Sequence, residues 1–281
     1  MTPEWLKWVD KNIANGCMPA VIIDTMEKQG FDRNYATQVV LGKISSDSPA
    51  LEESTSNEDQ IYEYEEIGPR LTGSVVKTHD REVNVLLSLN EPRLILFDSV
   101  LSPEECEQLI DLSKPKLERS LTVENATGKS VQSKDRTSRG TFFTINETPF
   151  IERIDRRLSE LMQVPVINGE GLQILNYQQG GEYKPHFDYF TPKDPGSKIH
   201  CAVAGQRIAT MILYLNNVEE GGETIFPHIN LKVMPKQGNA LYFAYTNSKN
   251  QVDPLTLHGG SPVLKGEKWI ANRWVRKSAF K

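Results

Sequence analysis

The sequence predicts an α+β chain, a β-sandwich or jelly roll buttressed by helices and preceded by a small three-helix bundle. Three observations carry that prediction. Residues 171–276 break into short strand-like runs separated by Gly, Pro and Asn. Two amphipathic helix patterns precede those runs, one starting at Ser102 and one at Thr148. The first 44 residues show helical spacing only, and an acidic stretch divides them from the rest.

The elements follow in chain order. Thr2 can cap a first helix, with Pro3 at its first position and Trp5, Leu6, Val9 and Ile13 as its apolar stripe. Gly16 is the expected stop. Pro19 opens a second helix carrying Val21, Ile22, Ile23 and Met26. Gly30-Phe31 is a turn, and Asp32 can cap a third helix bearing Ala36, Val39 and Val40. Helices this short make a bundle with a thin core. The bundle, residues 1–44, is expected to be a docking or dimerisation module. Residues 44–70 hold eight acidic side chains against one base, Arg70, a net charge of −7 in a chain of net −5. Six Ser and Thr residues share that stretch. Residues 45–70 are therefore expected to be a flexible acidic linker, with an acidic docking tail as the alternative. Residues 71–281 form the remaining domain, with a core from about residue 92.

In that domain Leu94-Ile95-Leu96-Phe97 reads as a strand. Ser102-Pro103-Glu104-Glu105 reads as a capping box, opening a helix through Cys106, Leu109, Ile110 and Leu112. Thr148-Pro149 opens a second helix with Phe150, Ile151, Ile154, Leu158 and Leu161. Strands are expected at 171–177, 206–215, 223–226, 239–244, 254–258 and 268–276. Gly180-Gly181 and Gly221-Gly222 are turn glycines, because no helix start follows to make a phosphate cradle. Thr191–Cys201 is Pro/Gly-rich and is expected to be a mobile loop at a pocket mouth.

Composition excludes several function classes. The chain has 281 residues, 38% apolar and 25% charged, enough for a sizeable core with a solvated surface. No run of about 18 apolar residues could span a bilayer. The N-terminus lacks the basic head and apolar stretch of a signal peptide. Three cysteines (Cys17, Cys106, Cys201) without tight spacing argue against a disulfide framework or a thiolate zinc site and suit a reducing cytoplasm. The net negative charge argues against a general nucleic-acid binder.

The chemistry gathers among the strands. In Tyr183-Lys184-Pro185-His186-Phe187-Asp188, positions i and i+2 of a strand aim His186 and Asp188 at one point. His258 follows in Leu257-His258-Gly259-Gly260. Two histidines and one carboxylate are the donor set of a facial triad for Fe(II), although one His-x-Asp alone also describes a hydrogen-bonded surface pair. Lys268, in Gly266-Glu267-Lys268-Trp269, sits among apolar strand residues. A lysine there is costly unless an anion meets it or its head reaches water.

Five segments are similar to the collagen-type prolyl 4-hydroxylases, a 2-oxoglutarate- and Fe(II)-dependent dioxygenase family. They are DRTSRGTFF (135–143), ILNYQQGGEYKPHFD (174–188), GQRIATMILYLNNVEEGGETIFP (205–227), PKQGNALYF (235–243) and HGGSPVLKGEKWIANRW (258–274). The resemblance runs from about residue 92 to the end and implies a double-stranded β-helix. It implies Fe(II) on His186, Asp188 and His258, and Lys268 on the distal carboxylate of 2-oxoglutarate. It places Tyr177 and Tyr214 along the cosubstrate pocket, with Thr210 on the strand face of Tyr214. It assigns Arg136, Ser138, Tyr183 and Trp274 to the substrate side. Dioxygen and ascorbate are the implied co-reactants, and His200 and His228 become bystanders.

Three functions stay open on this reading. The first is hydroxylation of proline in a peptide or protein, with 2-oxoglutarate decarboxylated to succinate. The second is the same chemistry on a free amino acid or other small molecule. The third is an inactive jelly-roll binding module, whose mark would be a missing ligand or lysine. The N-terminal helices lie outside the resemblance. Their Gly-Phe turn resembles that of a ubiquitin-associated-type bundle, a pattern common among short bundles, and recruitment of a partner and dimerisation are the alternatives.

Overall fold

The computed structural model describes residues 2–14, 19–46, 61–120, 122–123, 130–131 and 134–280. Three helices open the chain: α1 (Pro3–Ala14), α2 (Pro19–Lys28) and α3 (Arg33–Ser46). Asp32 accepts from the Tyr35 backbone N–H at 2.9 Å, as an N-terminal cap should. Val9, Ile22, Ile23, Met26, Ala36 and Val40 form the thin core. Trp5 packs edge-on against Trp8 and Phe31 beside it. Val21 faces outward. The expected stop at Gly16 lies outside the described residues.

The larger domain is built on a nine-stranded antiparallel sheet. Its order is Val75–Lys77, Glu82–Leu89, Leu94–Asp98, Ala240–Ala244, Arg207–Tyr214, Lys268–Arg276, Leu172–Tyr177, Arg139–Phe143 and Glu118–Arg119. A second sheet of four strands faces it: Leu231–Val233, Thr224–Phe226, His258–Gly260 and Tyr183–His186. Alternation along the strands makes two cores. Met211, Leu213 and Tyr242 face helices α4 (Pro103–Ser113) and α5 (Pro149–Met162). Ile212, Tyr214 and Phe243 face the second sheet. This is the jelly-roll arrangement with helices against one face.

The helix signals hold at the level of single bonds. Ser102 and Glu105 form both halves of the capping box of α4, and Thr148 caps α5 by accepting from Ile151. Ile151, Ile154, Leu158 and Leu161 make the buried stripe of α5. On the same helix Arg157 is fully buried, bonded to Glu105 and Asp80. No helix among the described residues is long and apolar enough to cross a membrane.

Four expectations change. Thr191–Cys201 is not a loop throughout, because α6 (Pro195–Ala204) occupies most of it. Pro195 sits at its first turn, where the missing N–H costs nothing. Ile199 packs into the bundle core, which joins the bundle to the larger domain. The strand expected at 254–258 is a 3₁₀ turn, Pro254–Thr256, and extended pairing begins only at His258. Asp253 diverts the chain by accepting from the Leu255 N–H at 2.8 Å. The sheet also begins earlier than residue 92, at Val75, because the edge strand and its neighbour have half-exposed patterns that carry little periodic signal.

The fourth change concerns the acidic linker. Residues 61–70 are seated on the domain: Tyr62 is buried, the Tyr64 hydroxyl donates to Asp253 at 3.1 Å, and Arg93 donates to the Pro69 carbonyl at 2.6 Å. Tyrosines supply the apolar area that the acidic count concealed. α3 reaches Ser46, and residues 47–60 lie outside the described residues.

Candidate active site

Two short strands assemble the site. His258 lies directly opposite His186 on antiparallel strands, with ring centroids 4.4 Å apart. Asp188 follows two residues later and turns to the same side. His186 Nε2 lies 3.6 Å from Asp188 Oδ1, and His258 Nε2 lies 3.5 Å from Asp188 Oδ2. One donor atom from each residue falls within 4.8 Å of the others. This approach requires glycine at 259, where a Cβ would meet the Tyr183 carbonyl oxygen at 2.8 Å.

The backbone sets both tautomers. Nδ1 of His186 donates to the Lys184 carbonyl at 2.9 Å, and Nδ1 of His258 donates to the Thr256 carbonyl at 3.0 Å. A carbonyl can only accept, so each neutral ring presents a bare Nε2 to the site. Burial holds His258 down at about 4, neutral at ordinary pH. Burial alone would raise the Asp188 carboxyl, but His258, His186 and Arg207 hold it well below the usual carboxylate range. The Thr210 hydroxyl donates to Asp188 Oδ2 at 2.7 Å and orients it. Two imidazoles that turn Nε2 inward and an ionised carboxylate on one side of a cleft fit Fe(II) and leave coordination positions open.

Lys268 stands opposite Tyr177 in the sheet register and is only 4% exposed. Its Nζ lies 6.0 Å from the Tyr177 ring and 5.9 Å from the Tyr214 ring. Burial lowers the ammonium to about 8, with Glu223 opposing the shift. No side chain among the described residues bonds or pairs with it within contact distance. A buried ammonium of this kind can hold the carboxylate of a ligand through a charge-assisted hydrogen bond.

The triad and Lys268 open into one cleft of about 1240 Å³. Lys268, Ile270, Asn272, Trp274 and Arg276 line it as alternate residues of one strand. Tyr177, Tyr183 and Arg136 line it too. Tyr183 stacks on the His186 ring at 3.6 Å, and the Arg136 guanidinium lies 4.9 Å from the other ring, that of Tyr183 itself. Arg136 also donates to Gln173 at 2.9 Å.

Other assigned residues sit elsewhere. Thr210 supports Asp188 rather than the cosubstrate, because its hydroxyl is spent on the carboxylate. Tyr214 is fully buried, its ring 5.9 Å from Lys268 Nζ, and it donates its hydroxyl at 2.8 Å to Thr224, which lines the cleft. Ser138 is fully buried and donates to Ser120 at 2.9 Å, so it does not face a substrate. His200 is no bystander: it lines the cleft and stacks on Phe190 at 5.0 Å. His228 is exposed, bonded to the Pro254 carbonyl.

Sequence reasoning missed Arg207. Its guanidinium pairs with Glu170 at 2.7 Å, lies 4.1 Å from the Trp274 ring and donates to the Asp188 carbonyl at 3.2 Å. Arg276, also missed, pairs with the same Glu170 at 3.0 Å. Counting every second residue on from Lys268 would have found Asn272 and Arg276. Nothing local marks Glu170 or Gln173.

Residues 172–276 match the 2OG-Fe(II) oxygenase superfamily. Probable prolyl 4-hydroxylase 3 of Arabidopsis thaliana is 40% identical over 210 residues, 68% of this chain and 71% of that protein. The chain belongs to the prolyl 4-hydroxylase family of 2OG-Fe(II) oxygenases. Prolyl 4-hydroxylase 5 of the same plant is also 40% identical, over 68% of this chain and 70% of its own. Among solved structures, the viral collagen prolyl hydroxylase of Paramecium Bursaria Chlorella virus-1, in its 2-oxoglutarate complex, matches at a TM-score of 0.52 and 30% identity. That match covers 65% of this chain and 95% of the viral one.

Like its family, this chain is an Fe(II)- and 2-oxoglutarate-dependent dioxygenase, and the triad fits that metal. Iron and 2-oxoglutarate, when bound, would supply the oxidising chemistry that a dioxygenase directs at a C–H bond. The chain supplies the rest. His186, Asp188 and His258 would hold the metal. Thr210 and the two backbone carbonyls keep their donor atoms aimed. Phe226 and Phe243 pack beside His258 and keep that side dry.

Proposed function

We propose that this dioxygenase hydroxylates proline within a peptide or protein, at the 4-position. The observation that carries this reading is the extent of the cleft. It runs from Lys268 past the triad and over the sheet face to Phe142 and Arg119, at about 1240 Å³. Small-molecule pockets are typically about 300–1,000 Å³. The exposed Phe142 and the Tyr183, Trp274 and Phe190 rings offer apolar surface along an extended chain. The names of the relatives, prolyl 4-hydroxylases, support the same substrate.

The roles follow from position. Lys268 holds the distal carboxylate of 2-oxoglutarate, with Tyr177 beside it. Arg136, Tyr183 and Trp274 bound the substrate side. Dioxygen is the co-reactant and ascorbate the reductant that restores iron after uncoupled turnover. A reducing cytoplasm suits the free Cys106 and Cys201.

The test is succinate release with Fe(II), 2-oxoglutarate and ascorbate, with and without a proline-rich peptide, beside His186→Ala. Peptide-stimulated succinate that the variant loses, with one oxygen atom gained on proline by mass spectrometry, is the expected result. Succinate that no peptide stimulates would redirect the proposal to a small-molecule substrate.

A further inference from the structure

One helix belongs to two places at once. Gly196, Ser197 and His200 of α6 line the cleft, while Ile199, 5% exposed, is buried in the core of the N-terminal bundle. Both α2 and α3 pack on α6. Among the described residues this helix is attached through the bundle around Ile199, the stack of His200 on Phe190, the Ser278 N–H bonded to the Ala204 carbonyl, and Arg276, which donates to the His200 and Gly205 carbonyls.

The helix needs them. Ten residues are too few for a stable isolated helix in water, where about 12–15 are marginal. Asp194 provides no side-chain cap. The flanking Pro192 and Gly205 favour turns over helix propagation. Packing of its apolar face must supply what propensity does not.

We propose that the N-terminal bundle is a built-in seat for α6, and that Ile199 is a positioning residue through which the bundle shapes the substrate side of the cleft. The bundle's docking partner is its own catalytic domain. The iron triad and Lys268 lie outside α6, and the strand that carries Lys268 meets α6 only through Arg276 at its opposite end, so the bundle acts on substrate binding and spares the cosubstrate. That kinetic consequence rests on the peptide-hydroxylase reading, whereas the mechanical coupling does not.

The experiment uses the full chain with Ile199→Asp, Val9→Asp and the conservative Ile199→Val. Val9→Asp damages the bundle from α1, which packs on α2 and α3, and touches no cleft residue. Hydrogen exchange reads the coupling. Both Asp variants are expected to lower protection of the α6 amides, and Ile199→Val to keep it. KM for a proline peptide should rise roughly ten- to a hundredfold in both Asp variants, the scale of a misplaced positioning group. KM for 2-oxoglutarate and peptide-free turnover should stay at wild-type values. If either Asp variant keeps wild-type α6 protection, the proposal is overturned. A wild-type enzyme that turns over no peptide would instead sink the substrate reading, and the exchange data would still decide the coupling.

Discussion

The Thr210 hydroxyl donates to Oδ2 of Asp188 at 2.7 Å, inside a core where neither group meets water freely. The bond links the central strand of the large sheet to the carboxylate of the triad. It fixes which way that carboxylate points and leaves Oδ1 toward His186.

Thr210→Val therefore keeps the volume and removes the donor. Metal affinity should fall about ten- to a hundredfold, the usual effect of losing a group that orients a ligand. Thr210→Ser should retain most of it. Titration with Fe(II) under anaerobic conditions, or with Mn(II) as a stable probe, measures the change. An unaltered affinity in the Val variant would show that the bond is incidental.

Lys268 predicts a pH dependence. Burial lowers it from the ordinary 10.5 to about 8. The unfolded chain then keeps this proton to higher pH than the folded one. Without ligand, its destabilising effect is full below about pH 8 and is relieved as pH rises towards 10.5. An anionic cosubstrate needs the charged form, so 2-oxoglutarate affinity should decline as pH rises above about 8. Calorimetric titration from neutral to alkaline pH tests this, with proton uptake visible in buffers of different ionisation enthalpy. A flat profile there would remove Lys268 from the cosubstrate site.

Arg136 and Ser138 separate cleanly. Arg136 lines the cleft and braces Tyr183 and Gln173. Arg136→Ala should raise KM for peptide, with 2-oxoglutarate KM unchanged. Ser138→Ala removes a buried bond to Ser120 and should cost about 1 kcal/mol of stability with no kinetic effect. Steady-state kinetics beside urea unfolding distinguishes the two, and a peptide KM that moves in Ser138→Ala would restore its substrate role.

Arg157 is the structural counterpart of these site predictions. Its buried guanidinium bonds Glu105, Asp80 and the Val100 carbonyl. Arg157→Leu strips Asp80 of its guanidinium and leaves Glu105 with only the partly exposed Arg81 and Arg153, a loss of about 3–5 kcal/mol. The denaturant midpoint should fall accordingly. A drop of less than about 1 kcal/mol would mean that the pairing Glu105 already makes with Arg81 suffices without Arg157.

Much of the molecule was legible in order of residues. His186 and Asp188 share a strand face by spacing of two, Ser102 and Glu105 cap α4, and the alternation of Lys268–Arg276 survives as one buried strand. Such features depend on neighbours close in the chain, so local periodicity reports them. The same local reading mistook α6 for a loop, because its helix is held by Ile199 in the bundle and by Arg276 from a distant strand.

The sequence by itself pointed to the donor set and to Lys268, since residue type, spacing and the motif resemblance are enough for those. Only the tertiary structure decided that His258 faces His186 and that Thr210 serves Asp188. It alone brought Glu170 between Arg207 and Arg276, and seated the N-terminal bundle against a wall of the cleft. Each of these is a contact between residues far apart in the chain, created by sheet register and packing, and neither leaves a period in the sequence.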